Sequence, residues 1–133
     1  MLTLPRTARD RLVAHCVASL PLEGCGLLVG DPERSTVLEA IPTGNALASA
    51  LRYEIDAADH LRIDREASSA GHEVLGAFHS HTHTDAWPSP TDVSLAADPA
   101  WHWVLVSLRQ PDAVVRSFLI ADGTITEEQV LIV

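Results

Sequence analysis

The sequence is organised around residues 74–92, VLGAFHSHTHTDAWPSPTD. Its first five residues are apolar and uncharged, which indicates a buried strand that carries His79 and His81 out of the core. Because side chains alternate across a strand, the two imidazoles point to the same side and can bind one ion. Ser89 followed by Pro90 is typical of a helix start, and a helix beginning there brings Asp92 back toward the histidines.

These residue types favour a catalytic metal. Two neutral imidazoles and a carboxylate fill three positions of a tetrahedral zinc and leave the fourth for water, which is the pattern of catalytic zinc sites. Each residue also has a simpler explanation, because a single histidine is more often a core or surface residue and Ser89 with Asp92 alone matches a helix capping box. The joint spacing of His79, His81 and Asp92 is much rarer than its parts. We therefore predict a zinc site.

Other metal chemistries fit the stretch less well. His83 has the same strand parity but lies beyond the apolar run, so we expect it to be a loop residue. A zinc deaminase needs H-x-E followed by P-C-x-x-C, which this chain lacks. The lone Asp85 in a chain of 133 residues does not support a two-metal hydrolase.

Length and composition limit the classes of protein and partner. A chain of 133 residues that is 47% hydrophobic suits one domain spanning residues 1–133. Nine arginines and no lysine against 18 acidic residues give a net charge of −9, which repels nucleic acids and anionic membranes. With neither a signal peptide nor a run of about 18 apolar residues, we expect a cytoplasmic protein. Two cysteines do not form a secreted disulfide framework, so we expect Cys16 and Cys25 to be free.

The rest of the chain predicts alternating helices and strands. Helices are expected from Thr7 to Ser19 and from a capping Asp56 to about Ser69. Strands are expected before Gly30, with a hairpin partner at 37–41, and at 52–55, 74–78, 101–108, 114–120 and 124–133. Trp101 and Trp103 share one strand face and are expected in the core. This order indicates a mixed sheet with helices packed on it.

Together these residues resemble the JAMM motif, also called MPN+, of the JAB1/MPN/Mov34 metalloproteases. That motif is a distant Glu, then H-[ST]-H, seven residues, Ser, two residues and Asp. The chain supplies Glu23, His79-Ser80-His81, Ser89 and Asp92 with no gap, and PLEGCGLLVG around Glu23 is similar to the P-x-E-x-C-G-L-L-x-G of bacterial members. The resemblance implies an α/β fold in which helices flank a mixed, curved sheet with cytidine-deaminase-like layering.

Thr82 narrows the branch of this family, because most deubiquitinating members have proline after the second histidine. Residues 79–93, 104–107 and 122–128 resemble the bacterial Mec-type enzymes. Those enzymes release cysteine from the C-terminal Gly-Gly of a small ubiquitin-like sulfur-carrier protein during cysteine synthesis. The resemblance implies the same partner here, together with one Zn²⁺ per chain held by His79, His81 and Asp92.

The resemblance also implies the catalytic roles. Glu23 is expected to act as the general base, and the Ser89 hydroxyl is expected to stabilise the oxyanion. Trp87 is expected to form a wall beside the carrier tail, although loop packing explains it equally well. The substrate could instead be a carrier precursor trimmed after Gly-Gly, or a conjugate of a ubiquitin-like protein. A non-catalytic scaffold and a carrier-binding module are the alternatives of another class, and the complete ligand set with Glu23 argues against them.

Overall fold

A computed structural model describes residues 1–133 and shows three helices around one eight-stranded sheet. The helices are α1 (Arg6–Ser19), α2 (Ala57–Ser69) and α3 (Pro90–Leu95). The strands are β1 (Leu2–Leu4), β2 (Cys25–Asp31), β3 (Thr36–Thr43), β4 (Glu73–His81), β5 (His102–Ser107), β6 (Val114–Ala121), β7 (Thr124–Glu128) and β8 (Val130–Ile132). None of the three helices is long and apolar enough to cross a membrane.

The sheet is mixed and curls until it nearly closes. Its strand order is β7-β6-β5-β4-β2-β3-β1-β8, with parallel pairing of β4 with β5 and of β1 with both β3 and β8. Only Gln129 separates β7 from β8, yet these strands lie at opposite ends of the order. The two ends of the sheet must therefore approach each other. The predicted mixed, curved sheet is confirmed.

The two faces of the sheet bury separate apolar clusters. Helix α1 packs Leu12 into the larger cluster, which contains Phe78, whereas α2 packs Ile63 into a smaller cluster on the other face. Leu28 belongs to the α1 cluster and its neighbour Leu27 to the α2 cluster, because successive side chains of a strand point to opposite faces. Fully burying each such side chain stabilises the fold by about 1.5–3 kcal/mol.

Most predicted elements are confirmed within a residue or two. Asp56 caps α2 as expected, since its side chain accepts hydrogen bonds from the amides of Ala58 and Asp59. The two cysteines are buried and free, as predicted.

The strand predicted at 52–55 is wrong. Those residues form a loop with one isolated bridge between Asn45 and Ile55, because the Asn45 side chain occupies the backbone groups that a strand would pair. Two further differences lie at the edges of the sheet. The sequence gives no sign of β1, which is three residues long, and the single strand expected at 124–133 divides at Gln129 into β7 and β8.

Candidate metal centre

Strand β4 presents the two histidines predicted to bind a metal. His79 and His81 lie at its C-terminal end on the same side, with ring centroids 5.1 Å apart. Because β4 pairs with β2 on one edge and β5 on the other, the histidines are almost fully covered, at 2% and 6% exposed. The apolar run that precedes the two histidines therefore places them at the end of a buried strand, where they are covered.

Helix α3 carries the third predicted ligand, Asp92, to the histidines. One carboxylate oxygen of Asp92 lies 3.2 Å from Nε2 of His79, and the other lies 3.1 Å from Nε2 of His81. The capping box, which competes with the metal explanation, is present in the structure. Ser89 Oγ accepts a hydrogen bond from the Asp92 amide at 3.1 Å, and Asp92 Oδ2 accepts one from the Ser89 amide at 2.9 Å. The cap therefore aims the carboxylate at the imidazoles.

The donor atoms of these three residues fit a small divalent cation. They all lie within 4.8 Å of one another, and tetrahedral zinc with bonds of about 2.0–2.1 Å needs its ligand atoms roughly 3.3 Å apart. His79 Nε2 is buried and has no hydrogen-bond partner, because its contact with Asp92 lacks hydrogen-bond geometry. Buried polar atoms without partners are rare and call for an explanation. A bound cation would satisfy this nitrogen.

The surroundings prepare the three side chains for metal binding. His81 Nδ1 lies 2.9 Å from the Asp85 carbonyl oxygen, which can only accept, so Nδ1 carries the proton and Nε2 is left for the metal. Burial lowers the pKa of His79 and favours the neutral imidazole that metals bind. Burial opposes ionisation of Asp92, but the imidazoles of His79 and His81 beside it hold the pKa of its carboxyl far below the usual range.

Glu23, the predicted general base, lies far upstream in the sequence but lines the same cleft as His81 and Ser89. The cleft has a volume of about 180 Å³, and Glu23 is 5% exposed. Burial raises the pKa of Glu23 to about 7, the nearby His81 lowers it and the Asp92 carboxylate raises it. A carboxyl group that titrates near neutral pH suits a general base.

The backbone around Glu23 is attached directly to β4. The Gly24 amide donates to the Ser80 hydroxyl at 2.8 Å, and the Ser80 amide donates to the Gly24 carbonyl at 3.0 Å. Ser80 lies between the two histidines and is fully buried. The link therefore fixes the start of β2 against the strand that carries the candidate ligands.

Sequence reasoning missed Tyr53, which covers the candidate metal centre from the loop between β3 and α2. Its ring stacks on His79 with centroids 4.2 Å apart and an interplanar angle of 20°. Burial raises the pKa of Tyr53 well above its usual range, so the phenol stays protonated. Tyr53 lies in an irregular loop without hydrophobic periodicity, so no pattern indicated its role.

Trp101 and Trp103 have a second position besides the predicted core. Both pack against the cluster under α2, but both also line a cavity of about 270 Å³ that extends to His79 and Asp92. Most of its walls are apolar, and Trp103 Nε1 is buried without a hydrogen-bond partner. The prediction of a purely core position is therefore too narrow.

The loop between β4 and α3 holds the remaining predicted residues. Trp87 is 47% exposed, its ring contacts Phe118 edge-on at 5.2 Å, and the Arg116 guanidinium lies 5.7 Å from its centroid. Both explanations of Trp87 stay open, since the ring packs on β6 and keeps an exposed face. His83 is an exposed loop residue, as predicted, and lies at the edge of the Glu23 cleft.

Comparison with known proteins identifies the family to which the chain belongs. The family described as prokaryotic homologs of the JAB domain matches residues 5–121. The chain is 44% identical to the CysO-cysteine peptidase of Mycobacterium tuberculosis over 93% of this chain and 86% of that protein. It is 34% identical to the desampylase of Haloferax volcanii over 80% of each chain. A solution structure from Desulfitobacterium hafniense superposes with a TM-score of 0.92 at 33% identity, covering 100% of this chain and 93% of the other. This chain belongs to the prokaryotic JAB domain family.

Proposed function

We propose that this protein is a JAMM-type zinc metallopeptidase. Its substrate is a small ubiquitin-like sulfur-carrier protein, and it hydrolyses the peptide bond after the carrier's C-terminal Gly-Gly to release cysteine. The observation that carries the proposal is the cluster of His79, His81 and Asp92 beside the cleft that Glu23 lines together with His81. The similarity to a CysO-cysteine peptidase supports the choice of substrate.

In this proposal Glu23 moves the proton. His79, His81 and Asp92 would hold the zinc, which would supply a water of lowered pKa and a Lewis acid for the scissile carbonyl. Glu23 accepts the water proton on its carboxylate and returns it to the departing amine, which a group titrating near pH 7 can do in both directions. The bond that breaks is the amide, and the products are the carrier carboxylate and free cysteine.

Ser89 has a hydrogen atom left for the reaction. Its oxygen accepts the bond from the Asp92 amide, so its own O–H is free to donate to the oxyanion that forms on the carbonyl. Ser89 therefore combines two roles, since the capping box that orients Asp92 also fixes the position of this donor.

The shape of the cleft suits a thin substrate tail. A Gly-Gly tail has no side chains to obstruct entry between the loops that carry Tyr53 and Trp87, and we assign the exposed face of Trp87 as one wall of its path. We assign the reaction to the cytoplasm, where Cys16 and Cys25 stay reduced.

The proposal is tested by incubating a carrier–cysteine adduct with the zinc-loaded protein and weighing the products. We expect free cysteine and a carrier ending in Gly-Gly. The Glu23→Gln variant should keep its zinc and lose hydrolysis by about 10²–10⁴-fold, because the general base is gone.

Parallel incubations separate the alternatives. An extended carrier precursor and an isopeptide-linked conjugate are assayed beside the adduct, and faster cleavage of either one would reassign the substrate. A protein that takes up no zinc would support a scaffold. A zinc-loaded protein that binds the carrier without cleaving it would support a binding module.

A further inference from the structure

We propose that Asn45 is a positioning residue for the reaction. It holds the backbone of the general base and the backbone around the aromatic cover of the metal centre in one hydrogen-bonded unit. The inference rests on the proposed function only for its kinetic consequence. The geometry concerns Glu23, Tyr53 and the loop between β3 and α2.

The first half of the unit fixes Glu23. Asn45 Nδ2 donates to the Glu23 carbonyl at 3.1 Å and also lies 3.3 Å from the Ser49 carbonyl. The same Ser49 carbonyl accepts from the Glu23 amide at 2.8 Å. Both backbone polar groups of Glu23 are thus bound to this loop. Glu23 lies outside β2, so no strand ladder holds it there.

The second half fixes the residues on both sides of Tyr53. Asn45 Nδ2 donates to the Arg52 carbonyl at 2.9 Å, and Asn45 Oδ1 accepts from the Glu54 amide at 3.2 Å. The Ala46 amide donates back to the Glu54 carbonyl at 2.9 Å. The backbone on each side of Tyr53 is therefore held to Asn45, which sets the height of the phenol ring over His79.

Only an amide side chain serves all these partners. The amide group has two N–H donors, which reach three carbonyls, and an oxygen that accepts from the amides of Leu47 and Glu54. An aspartate of the same shape keeps the two acceptor contacts and loses all three donor contacts. Asn45→Asp is therefore the informative variant, because it removes the links to Glu23 and Arg52 while the volume of the side chain stays almost unchanged.

The kinetic consequence falls on turnover. Asn45 hydrogen-bonds the backbone of Glu23 but none of the candidate metal ligands, so its loss shifts the carboxylate of Glu23 relative to the scissile bond and leaves the ligand set intact. A displacement of about 1 Å in a reacting group can cost on the order of 10²-fold in rate. We expect kcat of Asn45→Asp to fall by about 10–100-fold, KM to change less than about threefold, and zinc content to stay at one per chain.

A second readout needs no activity. Tyr53 is the only tyrosine in the chain, so 3-fluorotyrosine labelling gives one ¹⁹F resonance that reports the ring stacked on His79. We expect that resonance to move toward the position of the unfolded chain in Asn45→Asp and Asn45→Ala. The measurement is made with and without zinc.

The control is Asp56→Ala, which removes the N-cap of α2 immediately after the same loop. It should lower stability through the lost helix cap while leaving kcat and the ¹⁹F resonance unchanged. Wild-type kcat or an unmoved resonance in Asn45→Asp would overturn the proposal, as would an equal loss of kcat in Asp56→Ala. If the wild-type protein fails to hydrolyse the adduct, the proposed function fails, while the ¹⁹F experiment still decides whether Asn45 holds Tyr53.

Discussion

At the scale of single residues, the site depends on side chains that each serve more than one partner. Asp92 caps α3 through its contact with the Ser89 amide while it contacts both histidines. His81 places its two ring nitrogens in different roles, one toward the Asp85 carbonyl and one toward Asp92. Because the same atoms provide structure and chemistry, a single change at this site affects both.

His79→Ala should lose the metal, whereas His83→Ala should keep it. His79 Nε2 is a buried nitrogen without a hydrogen-bond partner and belongs to the candidate ligand set, while His83 is exposed in the next loop. We expect zinc per chain to fall from about one to below roughly 0.1 in His79→Ala and to stay near one in His83→Ala. Metal analysis of protein dialysed against a weak chelator checks this, and equal zinc content in both variants would contradict the ligand assignment.

Sequence reasoning reached the candidate ligands because their spacing is local. His79, His81 and Asp92 lie within 14 residues, and strand parity with a helix cap is enough to bring them together. Glu23 came only from the family resemblance. Tyr53 and Asn45 act through loop hydrogen bonds with no periodicity, so their positions follow from tertiary structure alone.

At the scale of secondary-structure elements, β4 is the central element, because it carries two candidate ligands and is paired on both edges. The pairing with β5 requires a residue without a side chain at Gly76. A Cβ built there would lie 2.0 Å from the carbonyl oxygen of His102 on β5. The close approach of the two parallel strands therefore depends on this glycine.

Gly76→Ala should destabilise the protein and displace β4, which carries two candidate ligands. The obstructing atom is backbone and cannot rotate away, so we expect a loss of about 3 kcal/mol or more, at or above the upper end of ordinary overpacking. Gly44→Ala is the matched control, because nothing lies within 4 Å of a Cβ at that position. Urea unfolding of both variants measures the difference, and equal midpoints would show that the strands separate without cost.

The elements also show which patterns identify secondary structure and which do not. Helices α1 and α2 and most strands with apolar runs were predicted within a residue or two, whereas β4 continues three residues beyond its predicted end. Residues 52–55 carry side chains typical of a strand, but the side-chain amide of Asn45 binds the backbone groups that a strand would pair. A three-residue strand such as β1 has too short a pattern to detect, and its pairing partners come from distant parts of the chain.

At the scale of the whole molecule, a buried polar network ties one end of the sheet together. Glu128 on β7 accepts from Ser117 on β6 at 2.8 Å and pairs with Nδ1 of His102 on β5. The side chain of Glu128 is only 5% exposed. Burial raises the pKa of Glu128, but the bonds from His102 and Ser117 outweigh it and bring the pKa below its usual value.

Glu128→Ala should cost about 3–5 kcal/mol, because it leaves His102 and Ser117 buried without their partner. The neighbouring Glu127 pairs with Arg116 at the surface, so Glu127→Ala should cost less than about 1 kcal/mol. The folded pKa of Glu128 lies below the unfolded value, so its stabilisation is complete above the unfolded pKa and is lost as pH falls through the folded pKa. Thermal unfolding of the wild-type protein and of Glu128→Ala is measured from pH 7 down to pH 3. We expect the stabilities of the two proteins to converge at acid pH, and a constant difference would contradict the assignment.

Gln129, the single residue between β7 and β8, brings the two ends of the sheet together once β8 has formed. Leu2 pairs with Val130 where β1 meets β8, so this pairing joins residues that lie far apart in the sequence. Contacts between residues so far apart in sequence form slowly, and one edge of β1 stays unpaired until β8 pairs with it. Until β8 pairs with β1 the two candidate ligand histidines lie in an open sheet, so we expect metal loading to follow that pairing.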